Sequence, residues 1–157
     1  MDGFNCGSGF TSTGSPTGGM CHYLEVAISA TSPAWTDATY AWSGNINTSI
    51  GTTSTAIGSG YKNTLAMTSQ NNTSNKAGTI VRVYTGGGFT DWYLPSKDEL
   101  NQLYSARTQV GGLGGLFYWS SSESNNGNSW IQDFSNSFNQ SAAGKSFPAT
   151  ARPVRAF

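Results

Sequence analysis

Asp91-Trp92-Tyr93-Leu94-Pro95-Ser96-Lys97-Asp98-Glu99-Leu100 sets an aromatic, apolar run directly before a helix start. Ser96 and Glu99 have capping-box spacing: the serine hydroxyl accepts from the glutamate amide, and the glutamate carboxylate accepts from the serine amide. Pro95 discourages an earlier start. Leu100, Leu103, Tyr104 and Arg107 follow at helical spacing, predicting a helix over 97–108 with a Gly-rich stop at 110–115. Upstream, Gly86-Gly87-Gly88 reads as a turn and 89–94 as a short strand. Downstream, 117–120, 129–134 and 152–157 are strand-like; in the second, Trp130, Gln132 and Phe134 alternate with Ile131 and Asp133.

Residues 1–18 read as an irregular Gly/Ser/Thr-rich lead-in, and 19–157 as one domain. Over 19–30, Met20, His22, Leu24 and Val26 alternate with Cys21, Tyr23, Glu25 and Ala27, a period-two strand signal. Residues 31–60 carry turn chemistry around Trp35, Tyr40 and Trp42, so loop with aromatic anchors and room for a short helix is expected. Residues 62–71 and 74–83 are helix candidates, with Leu65, Ala66 and Met67 as buried positions. No repeat appears at a solenoid-like period. Strand, loops, helices and then several strands make an α+β domain.

Only 10% of the 157 residues are charged and 36% are hydrophobic, yet 13% are aromatic, which points to a folded chain with rings in its core. Eight Lys and Arg balance eight Asp and Glu. The scattered cations do not form the face that phosphate binding requires, so nucleic acid is not an expected partner. The N-terminal residues show neither the basic start nor the apolar run of a signal peptide, and no stretch reaches the ~18 apolar residues of a membrane span. Cys6 and Cys21 either pair, closing a short loop, or remain two free thiols.

Catalytic patterns are absent. His22 is the single histidine, and neither a Gly-x-Ser-x-Gly elbow nor a His-Glu-x-x-His occurs. Asp98 and Glu99 could imitate a glycosidase pair, but adjacent residues at a helix start do not face each other and capping explains them. Oxygens of Asp91, Asp133, Asn125 and Glu123 would suit calcium, though without a contiguous ligand loop. No cofactor is expected, with calcium as the one ion these oxygens would fit.

Three blocks, Trp92 to Leu103, Tyr118-Trp119-Ser120-Ser121-Ser122-Glu123 and Arg152-Pro153-Val154-Arg155-Ala156-Phe157, resemble the DUF1566 (Lcl-type) family, a branch of the C-type lectin-like domains. Gly14 to Glu25 and Thr55 to Asn63 look like the N-terminal half of its phage-associated members. The resemblance implies a small twisted, mostly antiparallel sheet with paired terminal strands, one or two flanking helices and long irregular loops. It also implies a non-enzymatic ligand- or receptor-binding role, as in bacterial adhesins and phage tail fibres. A virion or extracellular surface, fellow fibre proteins and a homo-oligomer, with a trimer as the candidate, belong to the same expectation. The two conserved disulfides of animal C-type lectins need four cysteines where this chain has two, both N-terminal, and their calcium-site signatures are missing, so the implied fold is firmer than calcium-dependent sugar binding.

Ser124, Asn125, Asn126, Asn128, Asn136, Phe138, Asn139 and Ser141 are the candidate ligand-binding residues, joined by the 32–60 loops. Aromatics for area and short polar stems for adaptable hydrogen bonds are the paratope combination, suited to a cell-surface glycan or protein. An Asn-rich C-terminal segment is also compatible with diversification by adenine mutation, because Asn codons begin with two adenines. Cys6, Cys21, Trp92, Pro95, Ser96, Glu99, Trp119, Trp130, Arg152 and Arg155 are assigned structural roles, with Trp130, Tyr84, Phe89 and Phe117 in the core. In a terminal strand Arg152 and Arg155 would point to opposite faces, so at most one should be buried, against Glu99 or Glu123. The alternative function is structural: a virion decoration or fibre-assembly protein using the same surface.

Overall fold

The computed structural model describes residues 3–6, 20–51, 53–135 and 139–157, and it is an α+β fold. Short strands β1 (Phe4–Asn5), β2 (Met20–Cys21), β3 (Leu24–Val26) and β4 (Thr39–Tyr40) precede helices α1 (Gly60–Gln70), α2 (Ala77–Arg82), α3 (Lys97–Ser105) and α4 (Arg107–Val110). Strands β5 (Phe117–Glu123), β6 (Asn128–Asp133), β7 (Gln140–Gly144), β8 (Ala149–Thr150) and β9 (Val154–Ala156) complete the chain. The main sheet runs β4-β8-β5-β6-β7; β5 and β8 are parallel and the other neighbours antiparallel. The terminal segments pair separately, β1 with β2 and β3 with β9.

The capping box forms as the sequence predicts: the Glu99 amide donates to Ser96 Oγ at 3.2 Å and the Ser96 amide to Glu99 Oε2 at 2.7 Å. The helix is shorter than 97–108, because its turn loosens at Ala106 before α4 begins. Helix α1 starts two residues before the expected 62, and of its three expected buried residues Met67 is buried while Leu65 is 38% exposed. Three consecutive residues cannot share one helix face. Buried Tyr61, Asn63, Thr64 and Met67 form the inner face instead.

The two strongest sequence blocks meet in space. The Ser121 amide and hydroxyl both donate to Pro95 O, at 2.7 and 3.1 Å, and the Lys97 amide donates to Ser122 Oγ at 2.9 Å. Ser120, Ser121 and Ser122 are therefore buried with their polar groups satisfied. Alternation then feeds two apolar clusters. Trp92, Leu94 and Trp119 enter one with Trp42, Met67 and Ile131, whereas Tyr93 and Tyr118 enter the other with Leu100, Leu103, Tyr104 and Phe134. Each fully buried indole has a partner: Trp42 donates to Ser120 O, Trp92 to Gly86 O and Trp119 to Tyr40 O.

Gly58 and Gly60 show why the Gly-Ser-Gly turn is required. Gly58 has φ +90°, and a Cβ there would lie 1.9 Å from Asn5 O; at Gly60 one would lie 2.2 Å from Glu99 Oε2. The Gly58 amide donates to Glu99 Oε1 at 2.8 Å, so one carboxylate ties the turn to the start of α3.

Several expectations are corrected. The strand over 19–30 breaks into β2 and β3, because the His22 and Tyr23 amides both turn to Phe157 O. Residues 89–94 form no strand beyond one bridge, Tyr93 to Val154; the Leu94 amide donates to the Thr64 hydroxyl instead. Phe4 and Asn5, within the irregular lead-in, pair with β2. Phe117 is 44% exposed and Phe89 only partly buried, while Tyr84 is buried. Trp130 is half-buried on the interior strand β6, with the Lys97 ammonium 3.8 Å from its ring centroid, so it covers one face of the sheet outside the core. Cys6 and Cys21 form a disulfide, resolving the two sequence alternatives.

Both C-terminal arginines are buried, against the expectation of one, since Arg152 precedes β9 and strand alternation does not govern it. Their partners are neither Glu99 nor Glu123. Arg155 makes a two-pronged contact with Asp91 at 2.9 and 3.1 Å and reaches Glu25 at 2.8 Å. Arg152 donates to Asp37, Ala27 O and Gly112 O. Burial alone would lower the Arg155 pKa, but its hydrogen bonds to the Asp91 and Glu25 carboxylates raise it.

Candidate functional site

The predicted polar residues divide between opposite ends of β6. Ser124, Asn125 and Asn126 belong to the β5–β6 turn and Asn128 opens β6, whereas Asn139 lies where the chain enters β7. Asn136 and Phe138 lie outside the described residues. At ~3.4 Å per residue, Asn128 and Asp133 are about 17 Å apart along the strand, so the two ends cannot share one small contact. Ser141 sits between them on β7, opposite Ile131.

The β5–β6 turn is held by Asn125. Its Oδ1 accepts from the Gly127 amide (3.0 Å), the Asn128 amide (2.9 Å) and Asn128 Nδ2 (2.9 Å), an Asx-type closure. Asn125 and Asn128 thus shape the turn. Ser124 and Asn126 are exposed, and among the described residues their side chains make no hydrogen bond. Those two present free donors and acceptors on a fixed backbone.

A second loop joins this tip. Glu123, at the end of β5, accepts from Ser49 Oγ at 2.7 Å and from the amides of Ile50 and Gly51 at 3.0 and 3.1 Å. Its own amide donates to Thr53 Oγ1 at 2.9 Å. Lys145, fully buried, donates to Glu123 at 2.5 Å and to Thr48 O at 3.0 Å, with its ammonium 4.8 Å from the Trp42 ring centroid. Burial raises the Glu123 pKa, but the Lys145, Ile50, Ser49 and Gly51 donors outweigh it and the carboxyl is lowered overall. The 45–51 loop is thereby fixed beside the turn, where exposed Ile46, Asn47 and Thr48 extend the surface. Glu123 and Lys145 escaped the sequence reading as organisers of this tip. The available signal was a lone lysine in an otherwise uncharged stretch after Asp133.

Several other ionisable groups are committed elsewhere. Glu99 accepts from Ser96, Gly58 and Tyr93, and burial pushes its carboxyl up to about 7 despite those donors. Asp98 donates its amide to Thr55 O and stays partly exposed while Glu99 is buried, so the two residues occupy different environments. Asp37 accepts from Tyr118 at 2.6 Å and from Arg152; burial first, then Asp37, raises the tyrosine pKa. The oxygens weighed for calcium are dispersed: Asp91 faces Arg155, Glu123 faces Lys145, Asp133 accepts from the Ser135 amide, and Asn125 closes its turn. Among the described residues no group of three His, Cys, Asp or Glu is placed to hold a metal. His22 is exposed beside β2.

No helix among the described residues is long and apolar enough to cross a membrane. No protein-family model and no curated protein matches the chain.

Proposed function

We propose that this chain is a C-type lectin-like domain of the DUF1566 type, acting as a non-enzymatic receptor-binding or adhesin module at a virion or cell-exterior surface. Its contact surface is the tip built from residues 124–128 and 45–51. The observation that carries the reading is the free side chains of Ser124 and Asn126, held over a buried Glu123–Lys145 pair. A fixed backbone presenting neutral, short-stemmed polar groups limits the entropy lost on binding. It suits a hydroxyl-rich glycan or a polar protein patch. Pairing of β3 with β9, helices flanking the sheet and the long irregular stretch between β4 and α1 support the fold assignment.

Single-site affinity at so small a tip is expected to be weak, and linked copies would raise it through effective concentration. The test is binding of the chain, clustered on a multivalent carrier, to host-type cell surfaces and a glycan array. Saturable binding competed by the free chain is expected; absence of binding when clustered would overturn the reading. One observation favours an assembly role instead. Leu116, Phe117 and Phe147 are exposed, the last two packing edge to face at 6.2 Å, and such a patch suits a shell or fibre protein.

A further inference from the structure

The open edge of the main sheet carries a feature that ligand capture does not use. Strand β7 ends the order β4-β8-β5-β6-β7, and no strand pairs with its outer side among the described residues. Its register with β6 is unbroken from Asn128↔Gly144 to Gln132↔Gln140. The Asp133 amide donates to Asn139 O and the Lys145 amide to Gly127 O, at either end of the ladder. In an antiparallel pair bonded and non-bonded positions alternate. Ser141 and Ala143 therefore turn their backbone groups towards β6, and Gln140, Ala142 and Gly144 turn theirs outwards. Gly144 O is taken by the Phe147 amide, which leaves the outward N–H groups of all three residues and the carbonyls of Gln140 and Ala142.

Exposed edges are usually blunted by a lysine, a proline, a bulge or an inward charge. Gln-Ser-Ala-Ala-Gly has none of these, and the adjacent Lys145 is buried against Glu123. The outward N–H groups of Gln140, Ala142 and Gly144 are spaced symmetrically about Ala142, and the free carbonyl of Gln140 falls opposite the Gly144 N–H of a second copy. In an antiparallel meeting of two such edges centred there, Ala142 faces Ala142, Ser141 faces Ala143, and Gln140 faces Gly144, which leaves it room. The Gln140 side chain is also drawn back, donating to Lys97 O and Gln132 Oε1. The chain has zero formal net charge, so nothing long-ranged opposes the approach of a second copy.

We infer that β7 is a self-association edge, pairing antiparallel with β7 of a second copy about a two-fold axis at Ala142. Two five-stranded sheets become one of ten strands. The contact is five residues long, well below standard interface size, so the dimer is weak and concentration-dependent. An isologous contact of this kind closes at two copies and differs from the trimer implied by family resemblance.

The test is sedimentation equilibrium of the full chain from ~5 μM to ~1 mM, where small interfaces dissociate. Wild type is compared with Ala142→Pro and Ala142→Lys. Proline removes an outward donor and spares the ladder to β6. Lysine keeps every backbone group and adds a long charged side chain to the exposed edge, which covers the case in which proline distorts the strand. Wild type is expected to approach twice the monomer mass, with both variants monomeric throughout. In wild type the Ala142 and Gly144 amides should also exchange more slowly as concentration rises. A monomeric wild type at the highest concentration, a mass settling at three copies, or a dimer that persists in folded Ala142→Lys would each overturn the inference.

Discussion

Glu123 and Lys145 pair at 2.5 Å beneath the 124–128 turn, the lysine side chain wholly shielded from solvent and the glutamate nearly so. Removing one partner leaves a buried charge unpaired, at a cost of about 3–5 kcal/mol. Lys145→Met should therefore lower the melting temperature sharply and speed hydrogen exchange at the Ile50 and Gly51 amides, which Glu123 holds. Adding Glu123→Gln should recover part of the loss. An unchanged melting temperature in Lys145→Met would contradict the role given to this pair.

Both C-terminal arginines should matter. Arg155→Ala leaves Asp91 buried without its two-pronged partner, and Arg152→Ala strips Asp37, Ala27 O and Gly112 O of a donor. Each should destabilise by about 3–5 kcal/mol in chemical denaturation. Half-exposed Glu25 should contribute far less to the Arg155 effect than Asp91 in double-mutant cycles. Equal coupling to Glu25 and Asp91 would contradict this assignment.

Stability should peak on the acid side of neutrality. The folded Glu99 pKa is raised from 4.5 to about 7, so its contribution is fully present below 4.5 and lost as pH rises through about 7. The shift corresponds to a change on the order of 3 kcal/mol. Glu123 is shifted the other way, so its contribution is present above its unfolded value of 4.5 and lost as pH falls through its lowered folded value. Urea denaturation across pH 4 to 8 should show stability falling towards the alkaline end. Glu99→Gln should flatten that slope while costing stability overall, because its amide group confronts the donors of Ser96 and Gly58. A slope unchanged in folded Glu99→Gln would assign it to another group.

Reduction should loosen the N-terminal strand pair. The Cys6–Cys21 bond spans 15 residues, which on the loop-entropy model stabilises by about 3 kcal/mol. Alkylation should find no free thiol before reduction and two afterwards, with a lower melting temperature in the reduced protein. Two reactive thiols in the untreated chain would contradict the bond.

What the sequence made legible was local. Ser96 and Glu99 announced their helix because a capping box is written within four residues, and Trp35 and Trp42 announced a loop with aromatic anchors because turn residues surround them. What it concealed was long-range. Nothing near Lys145 in sequence names Glu123, and nothing near Arg152 names Asp37; these pairs exist only once the parallel β5–β8 contact and the crossing back from β7 are formed. The candidate site was blurred for the same reason. An Asn- and Ser-rich stretch looks continuous along the chain, but a hairpin sends Asn126 and Asn139 to opposite ends of one strand.

That separation supplies the most direct measurement. Binding to the same cell surfaces and glycans should be compared between wild type, a Ser124→Ala/Asn126→Ala variant at the tip, and an Asn139→Ala/Ser141→Ala variant away from it. Neither variant removes a side-chain hydrogen bond among the described residues, so both should fold with wild-type melting temperatures. Binding lost at the tip variant by tenfold or more, a change of about 1.4 kcal/mol, and retained by the other is the predicted result. Wild-type binding by the tip variant would contradict the account.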